Sequence, residues 1–152
     1  MTQSFIHLRL HTDASLVDGL VQLKPLISKT VKEGMAAVAI TDLNNFFNLV
    51  KFQKTAHGAG VKPIYGCDIE LDYTAADGSN YIGGATLLAQ SLDGYRQITV
   101  WLSKAYTENQ KLGKPVVKWN WLAQDITDGV IFLTGGTRGV HGKALKDGNP
   151  VA

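Results

Sequence analysis

The segment FIHLRLHTDASLVDG, Phe5 to Gly19, decides how the rest of the chain is read. Successive side chains of a strand point to opposite faces. A strand here sets Ile6, Leu8 and Leu10 on one face and His7, Arg9 and His11 on the other. Asp13, Ser15 and Asp18 follow at once, so polar groups gather where the strand ends. In α/β folds that end is where sites are built. The plainer alternative is an edge strand with a solvated polar face.

Outward from this stretch, Leu20, Leu23, Ile27 and Val31 recur at spacings of three and four, which predicts one face of an amphipathic helix. Asp18 and Gly19 precede it, and Gly34 ends it. Ala36 to Thr41 is a short apolar run that suits a strand covered on both faces, with Asp42 at its C-terminal end. A second helix is predicted from Asn45 to His57, with Phe46, Leu49, Val50 and Ala56 inward and HGAG as its stop. Strands are predicted over Lys62–Tyr73 and Tyr81–Ala89, joined by the turn TAADGSN, although Gly83 and Gly84 weaken the second. Leu92 to Tyr106 reads as a helix that turns Leu92, Tyr95, Ile98, Leu102 and Tyr106 inward. Lys111–Pro115 reads as a loop, Trp119–Gln124 as a short helix, Gly129–Thr134 as a buried strand and Val140–Lys146 as a last helix.

Strands alternating with helices imply an α/β fold with a largely parallel sheet or barrel, and no linker divides residues 1–152 into separate domains. About five strands are too few for a closed eight-stranded barrel, which takes ~250 residues. The expectation is therefore an incomplete barrel, the leading part of a longer protein. Net charge is +2, from 15 basic and 13 acidic residues, which argues against a nucleic-acid groove or an anionic membrane surface. Cys67 is the only cysteine, which excludes an internal disulfide and a thiolate zinc cluster and fits a reducing cytoplasm. No run reaches membrane-spanning length. Lys111, Lys114 and Lys118 with Trp119 and Trp121 imitate a basic-aromatic patch, but a solvated loop before an anchored helix explains them better.

Five segments in order, HLRLHTDASLVDG, GMAAVAITDLNNFFNLVKF, HGAGVKPIYGCDIEL, LLAQSLDGYRQIT and GVIFLTGG, span essentially the whole chain. Together they resemble the N-terminal PHP (polymerase and histidinol phosphatase) domain of bacterial replicative DNA polymerase III alpha subunits. The resemblance implies part of a TIM-like PHP barrel, without the palm, thumb and fingers that carry polymerase catalysis. Enzymes of the family hold divalent ions with His and carboxylate side chains to activate water and stabilise phosphoryl charge. Against that pattern, Arg9 and His11 stand where the family has His-x-His, and a guanidinium offers a metal no lone pair. His7 shares their face but lies one step earlier. Thr41-Asp42-Leu43 replaces Thr-Asp-His, Asp68 replaces a Glu, and Gly84 stands at the place of a His. Asp18 matches the family, as a ligand or as a helix N-terminal cap.

Arg9, Leu43 and Gly84 are thus lost ligand positions, and the resemblance implies a vestigial pocket of Arg9, His11, Asp18, Asp42 and Asp68. Arg9 is expected as an internal cation satisfying Asp42 or Asp68. No bound metal, cofactor or catalysis is expected from these residues, although His11, Asp42 and Asp68 retain donor atoms. The implied role is a non-catalytic scaffold in DNA replication, docking the proofreading exonuclease (epsilon) subunit within the polymerase core. The parent it resembles is a DNA-directed DNA polymerase. The alternative is a residual metal-dependent phosphoesterase acting on pyrophosphate or a DNA 3′ end, the one reading that requires a divalent metal. A truncated barrel also leads us to expect self-association of the isolated chain.

Overall fold

The computed structural model describes residues 5–125 and 128–149. Pro150 to Ala152, the end of the GNPVA tail, lie outside the described residues. The chain divides into two compact units, Met1–Cys67 and Asp68–Ala152.

In the first unit, α1 (Leu23–Lys32), β1 (Ala37–Ile40), α2 (Leu49–Gly58) and the first residues of β2 (Lys62–Thr74) follow one another. β1 and β2 run parallel, with Ala37 opposite Lys62 and Ile40 opposite Tyr65. All four residues of β1 are buried, as an apolar run covered on both faces should be. Leu23 and Ile27 of α1, Phe52 and Ala56 of α2, Val38 and Ile40 of β1, and Val61 form one core. Burying each of its large side chains contributes roughly 1.5–3 kcal/mol.

Both helices leave by the same device. Gly34 and Gly60 adopt positive φ, which costs glycine nothing. Their amides reach back to Val31 and His57, and the next amides, of Met35 and Val61, reach Thr30 and Ala56. That pair of bonds is the Schellman motif, and it satisfies carbonyls a helix end would otherwise strand.

Three expectations are corrected here. Leu20 is 93% exposed, because α1 begins three residues later and turns Thr30, rather than Val31, inward with Leu23 and Ile27. α2 begins at Leu49, not Asn45, because Asn44 takes positive φ and Asn45 Oδ1 accepts from the Phe47 amide, shaping a loop instead of a turn of helix. Val50 therefore faces outward and Phe52 inward. Residues 5–11 are extended but are not a regular strand. Ala39 and Thr41 donate to the carbonyls of His7 and Leu10, so acceptors three apart answer donors two apart. One extra residue, at a bend on Leu8, breaks the alternation.

In the second unit, β3 (Asn80–Ala89) lies between β2 and β7 (Val130–Leu133), and β7 pairs with β3 antiparallel. β6 (Val117–Lys118) runs parallel to the end of β2. α3 (Leu92–Glu108) is capped by the Ser91 hydroxyl, which accepts from the Gly94 amide. It buries Ile98, Trp101, Leu102 and Ala105. Leu92 and Tyr106, expected inward, are exposed, because the buried stripe is rotated to centre on Trp101. Gly94 lies so close to Gly129 that a Cβ there would stand 1.8 Å from the Gly129 carbonyl oxygen. The stretch Lys111–Pro115 is a hairpin and not a plain loop: β4 (Gln110–Lys111) pairs with β5 (Lys114–Pro115). Leu112 and Gly113 both take positive φ at its tip, the conformation a two-residue hairpin turn demands. α4 (Trp119–Asp125), a short 3₁₀ turn (Gly136–Arg138) and α5 (Val140–Lys146) complete the unit. No helix among the described residues is long and apolar enough to cross a membrane.

Candidate functional site

The polar residues that follow the Phe5–His11 segment meet the loop that follows β1, and this is where the chemistry of the first unit gathers. Asp42 is 2% exposed. Its two oxygens accept from one residue: the Thr12 amide at 2.6 Å and the Thr12 hydroxyl at 2.8 Å. Around this pair the two loops are joined repeatedly. The Ser15 hydroxyl accepts from the Leu43 amide, and the Asn45 side chain donates to the Ala14 and Leu43 carbonyls. Asn48 donates to the Thr12 hydroxyl and to Asp13. Leu10 and Thr41 are pinned by a bond from the Leu10 amide to the Thr41 hydroxyl. Thr12, Ser15, Thr41, Asp42, Asn44 and Asn45 are all buried, so the bonds at Asp42 and from Asn45 to Ala14 operate away from competing water, while the Asn48–Asp13 bond is exposed. The result is a clamp between loops some thirty residues apart in the chain, built from Thr, Ser and Asn side chains around one carboxylate.

Burial is the largest influence on Asp42 and disfavours its charge. The Thr12 bonds and the nearby His11 oppose that, but the carboxyl still sits above its usual range.

Asp18 belongs to a second, more open cluster. It does not cap α1, which starts at Leu23 with Gln22 as its N-terminal flank. Its Oδ1 accepts from Ser15 Oγ at 2.8 Å and lies 2.9 Å from His11 Nδ1. Burial weighs most on Asp18 and raises its pKa. The Ser15 bond, the His11 bond and the charges of His11 and Arg9 together outweigh it and hold the carboxyl below 3.8. A depressed folded pKa gives stability that is present above the ordinary value of 3.8 and is lost as pH falls through the folded pKa. Asp18→Asn should therefore lower the melting temperature at neutral pH and cost nothing in strong acid. Because the side chain is half exposed, the penalty should stay under about 1 kcal/mol. Thermal melts from neutral pH to pH below 3.8 check this; a penalty that persists in acid contradicts it.

Arg9 is exposed, where an internal cation was expected. Its charge is felt at Asp18, and Asp42 has Thr12 as its donor instead. Leu43 contributes its backbone amide to Ser15. His7 is exposed. Cys67 is fully buried and donates to the Asp42 carbonyl at 3.3 Å.

In the second unit, Asp68 is buried and accepts from the Thr86 hydroxyl at 2.5 Å. A Cβ on Gly84 would meet only the Arg138 carbonyl, at 3.9 Å, so the backbone there does not demand glycine. At Gly83 it does, since a Cβ would stand 2.5 Å from the Val140 amide nitrogen. The basic-aromatic set is engaged within the unit. Lys104 and Lys118 lie over the Trp121 ring, at 5.0 and 5.7 Å, and Lys111 pairs with Asp72.

Asp42 accepts from Thr12 and Asp68 from Thr86, and among the described residues no group of three or more His, Cys, Asp or Glu is placed to hold a metal ion. Sequence reasoning placed Ser15 in this polar gathering but missed Thr12, Asn45 and Asn48. The signal available was their clustering, Thr12 beside Ser15 directly after the first extended segment and Asn45 and Asn48 directly after Thr41-Asp42.

Helices packed on parallel strands, with a buried carboxylate at a strand's C-terminal end, define a segment of a PHP-type α/β barrel. The profile of the PHP domain matches residues 7–152, and the chain belongs to that family. It is 46% identical over 148 residues to the DNA polymerase III alpha subunit of Pseudomonas aeruginosa, covering 97% of this chain and 12% of that protein. Against the same subunit of Escherichia coli K12 it is 39% identical over 145 residues, covering 95% of this chain and 12% of that one. The chain thus spans about an eighth of the length of these curated relatives, matching their N-terminal PHP segment. An amidohydrolase from Chromobacterium violaceum, solved with sulfate and no metal, shares the fold at 16% identity. The TM-score is 0.51, over 66% of this chain and 32% of that one.

Proposed function

We propose that the chain is the leading PHP module of a bacterial replicative polymerase alpha subunit, and that the module is a non-catalytic scaffold. The observation that carries this reading is the pair of hydrogen bonds that Thr12 donates to Asp42. Through both of its oxygens Asp42 ties two loops together, a structural use of the carboxylate at the end of β1. Arg9, Leu43 and Gly84, at positions where the resembled enzymes carry imidazoles, support the same conclusion. Polymerase catalysis belongs on this reading to the remainder of the parent chain. The module's task is to support that core in the cytoplasm and to dock the proofreading exonuclease subunit.

The test uses the complete PHP domain purified without chelator. Zinc and manganese content and phosphoesterase turnover are measured together, and exonuclease binding is measured by calorimetry. The expected result is negligible metal, no turnover and a stable complex with the exonuclease. Stoichiometric metal with metal-dependent hydrolysis of pyrophosphate or a DNA 3′ end would establish the phosphoesterase reading instead. Failure to bind the exonuclease would remove the docking role while leaving the retired site intact.

A further inference from the structure

The tip of the β4–β5 hairpin, in the second unit, departs from what stability alone would select. Leu112 is fully exposed there and takes φ of +53°, with Gly113 following at +77°. The left-handed region crowds a leucine Cβ against the following carbonyl oxygen, so asparagine, aspartate or glycine is the usual choice at this position. Leucine thus brings strain to the backbone and a whole apolar side chain to water. The pair that closes the turn adds a third cost. Lys111 and Lys114 stand directly opposite each other, and like charges so placed repel. Asp72 takes up Lys111, while Lys114 is exposed. The tip is nonetheless held on a fixed base. The Val116 amide donates to the Asn109 carbonyl at 3.0 Å, and the Asn109 side chain donates to the Val116 carbonyl at 2.8 Å. Pro115 and Val116 are buried beneath it. Charge around the tip is one-sided: Lys104 to Lys118 holds four lysines and one glutamate, in a chain whose net charge is only +2.

We infer that this tip is an anchor for a partner protein, with Leu112 entering an apolar pocket and Lys114 meeting carboxylates at that pocket's rim. Two of the three costs are then recovered on docking, since the leucine leaves water and an acidic rim relieves the opposed lysines. The strained turn is what presents Leu112 outward on a support that needs no further ordering. Of the four lysines only Lys114 and Lys118 are exposed, which suits a carboxylate rim and is too few to follow a phosphate backbone. The inference rests on the docking reading above, so the partner is the proofreading exonuclease subunit and the hairpin tip is the surface that meets it.

Titration calorimetry of the chain against the purified exonuclease subunit tests it, with thermal melts of the same samples. Leu112→Asn suits the turn better than leucine, so the variant should melt at or above the natural temperature while binding roughly tenfold more weakly. Lys114→Glu should also weaken binding, with the deficit largest at low salt. Opposite movement of stability and affinity at Leu112 is the signature, because a merely structural leucine would not produce it. Equal binding by Leu112→Asn would overturn the inference and leave the docking reading to another surface. So would a chain that fails to bind where the complete PHP domain succeeds. If neither binds, the docking reading falls and the inference with it. A DNA oligonucleotide that both substitutions release, with exonuclease binding unchanged, would make nucleic acid the occupant and overturn the inference as well.

Discussion

Asp42→Ala should unfold the first unit at a markedly lower temperature than any substitution among its exposed polar residues. Removing the carboxylate leaves the Thr12 amide and hydroxyl hydrogens without an acceptor in a site that excludes water. Each orphaned buried donor costs about 1–3 kcal/mol. Because Thr12 Oγ also accepts from Asn48 and from the Ala14 amide, part of the network can readjust. A total of roughly 2–4 kcal/mol is therefore expected, or ~5–15 °C in melting temperature for a chain of this size. Asp42→Asn separates geometry from charge. The amide keeps an oxygen for the Thr12 N–H and should cost about 1 kcal/mol or less. The raised carboxyl pKa also sets a direction. What Asp42 contributes is fully present below 3.8 and is lost as pH rises through its folded value, so the Asn variant should gain on the natural protein towards neutral pH. Calorimetric scans of the three proteins across that range decide the matter. An Ala variant that melts with the natural protein would mean that the clamp is incidental.

Gly94→Ala should destabilise the second unit, against what helix propensity alone would say. Alanine inside a helix is ordinarily worth ~1 kcal/mol over glycine. At position 94 the added methyl would meet the Gly129 carbonyl oxygen at 1.8 Å, and that oxygen already accepts from the Gln90 amide. Backbone must move, and overpacking of this kind costs about 1–3 kcal/mol. The net expectation is a loss of ~2 kcal/mol by urea denaturation. Gly58→Ala is the control, since nothing lies within 4 Å of a Cβ there and the variant should hold or gain stability. If both variants gained stability, the approach of α3 to Gly129 would be soft and the tight seam discounted.

Much of the frame was legible because it is written in local chemistry. Buried β1, the turn after β2 and the glycine exits of α1 and α2 each depend on a few neighbouring residues. What failed to read were features decided by something distant. The buried stripe of α3 is centred on Trp101 by what packs against it, and periodicity alone could not choose between that stripe and one through Leu92 and Tyr106. The hairpin at Leu112-Gly113 was hidden because leucine is not a residue that signals positive φ. At the site, the residues that gather were recognisable by type, and Asp42 was placed correctly at the end of β1. Its partner was not. Arg9 was expected to satisfy Asp42 or Asp68, and at Asp42 the donor is Thr12, a choice that depends on how residues 5–11 align with β1.

The irregularity at Leu8 carries that alignment further than its own position. Had the ladder stayed regular from His7, the second acceptor opposite β1 would have been Arg9, and His11 would have followed where Thr12 now stands. An imidazole would then have been presented to the Asp42 carboxylate, and the segment would have offered two metal donors side by side. With one residue of slack, a hydroxyl and an amide arrive instead, and each donates to one oxygen of the carboxylate. The identity of the neighbour at Asp42 is thus decided four residues upstream, by a change of phase and not by any atom that touches it.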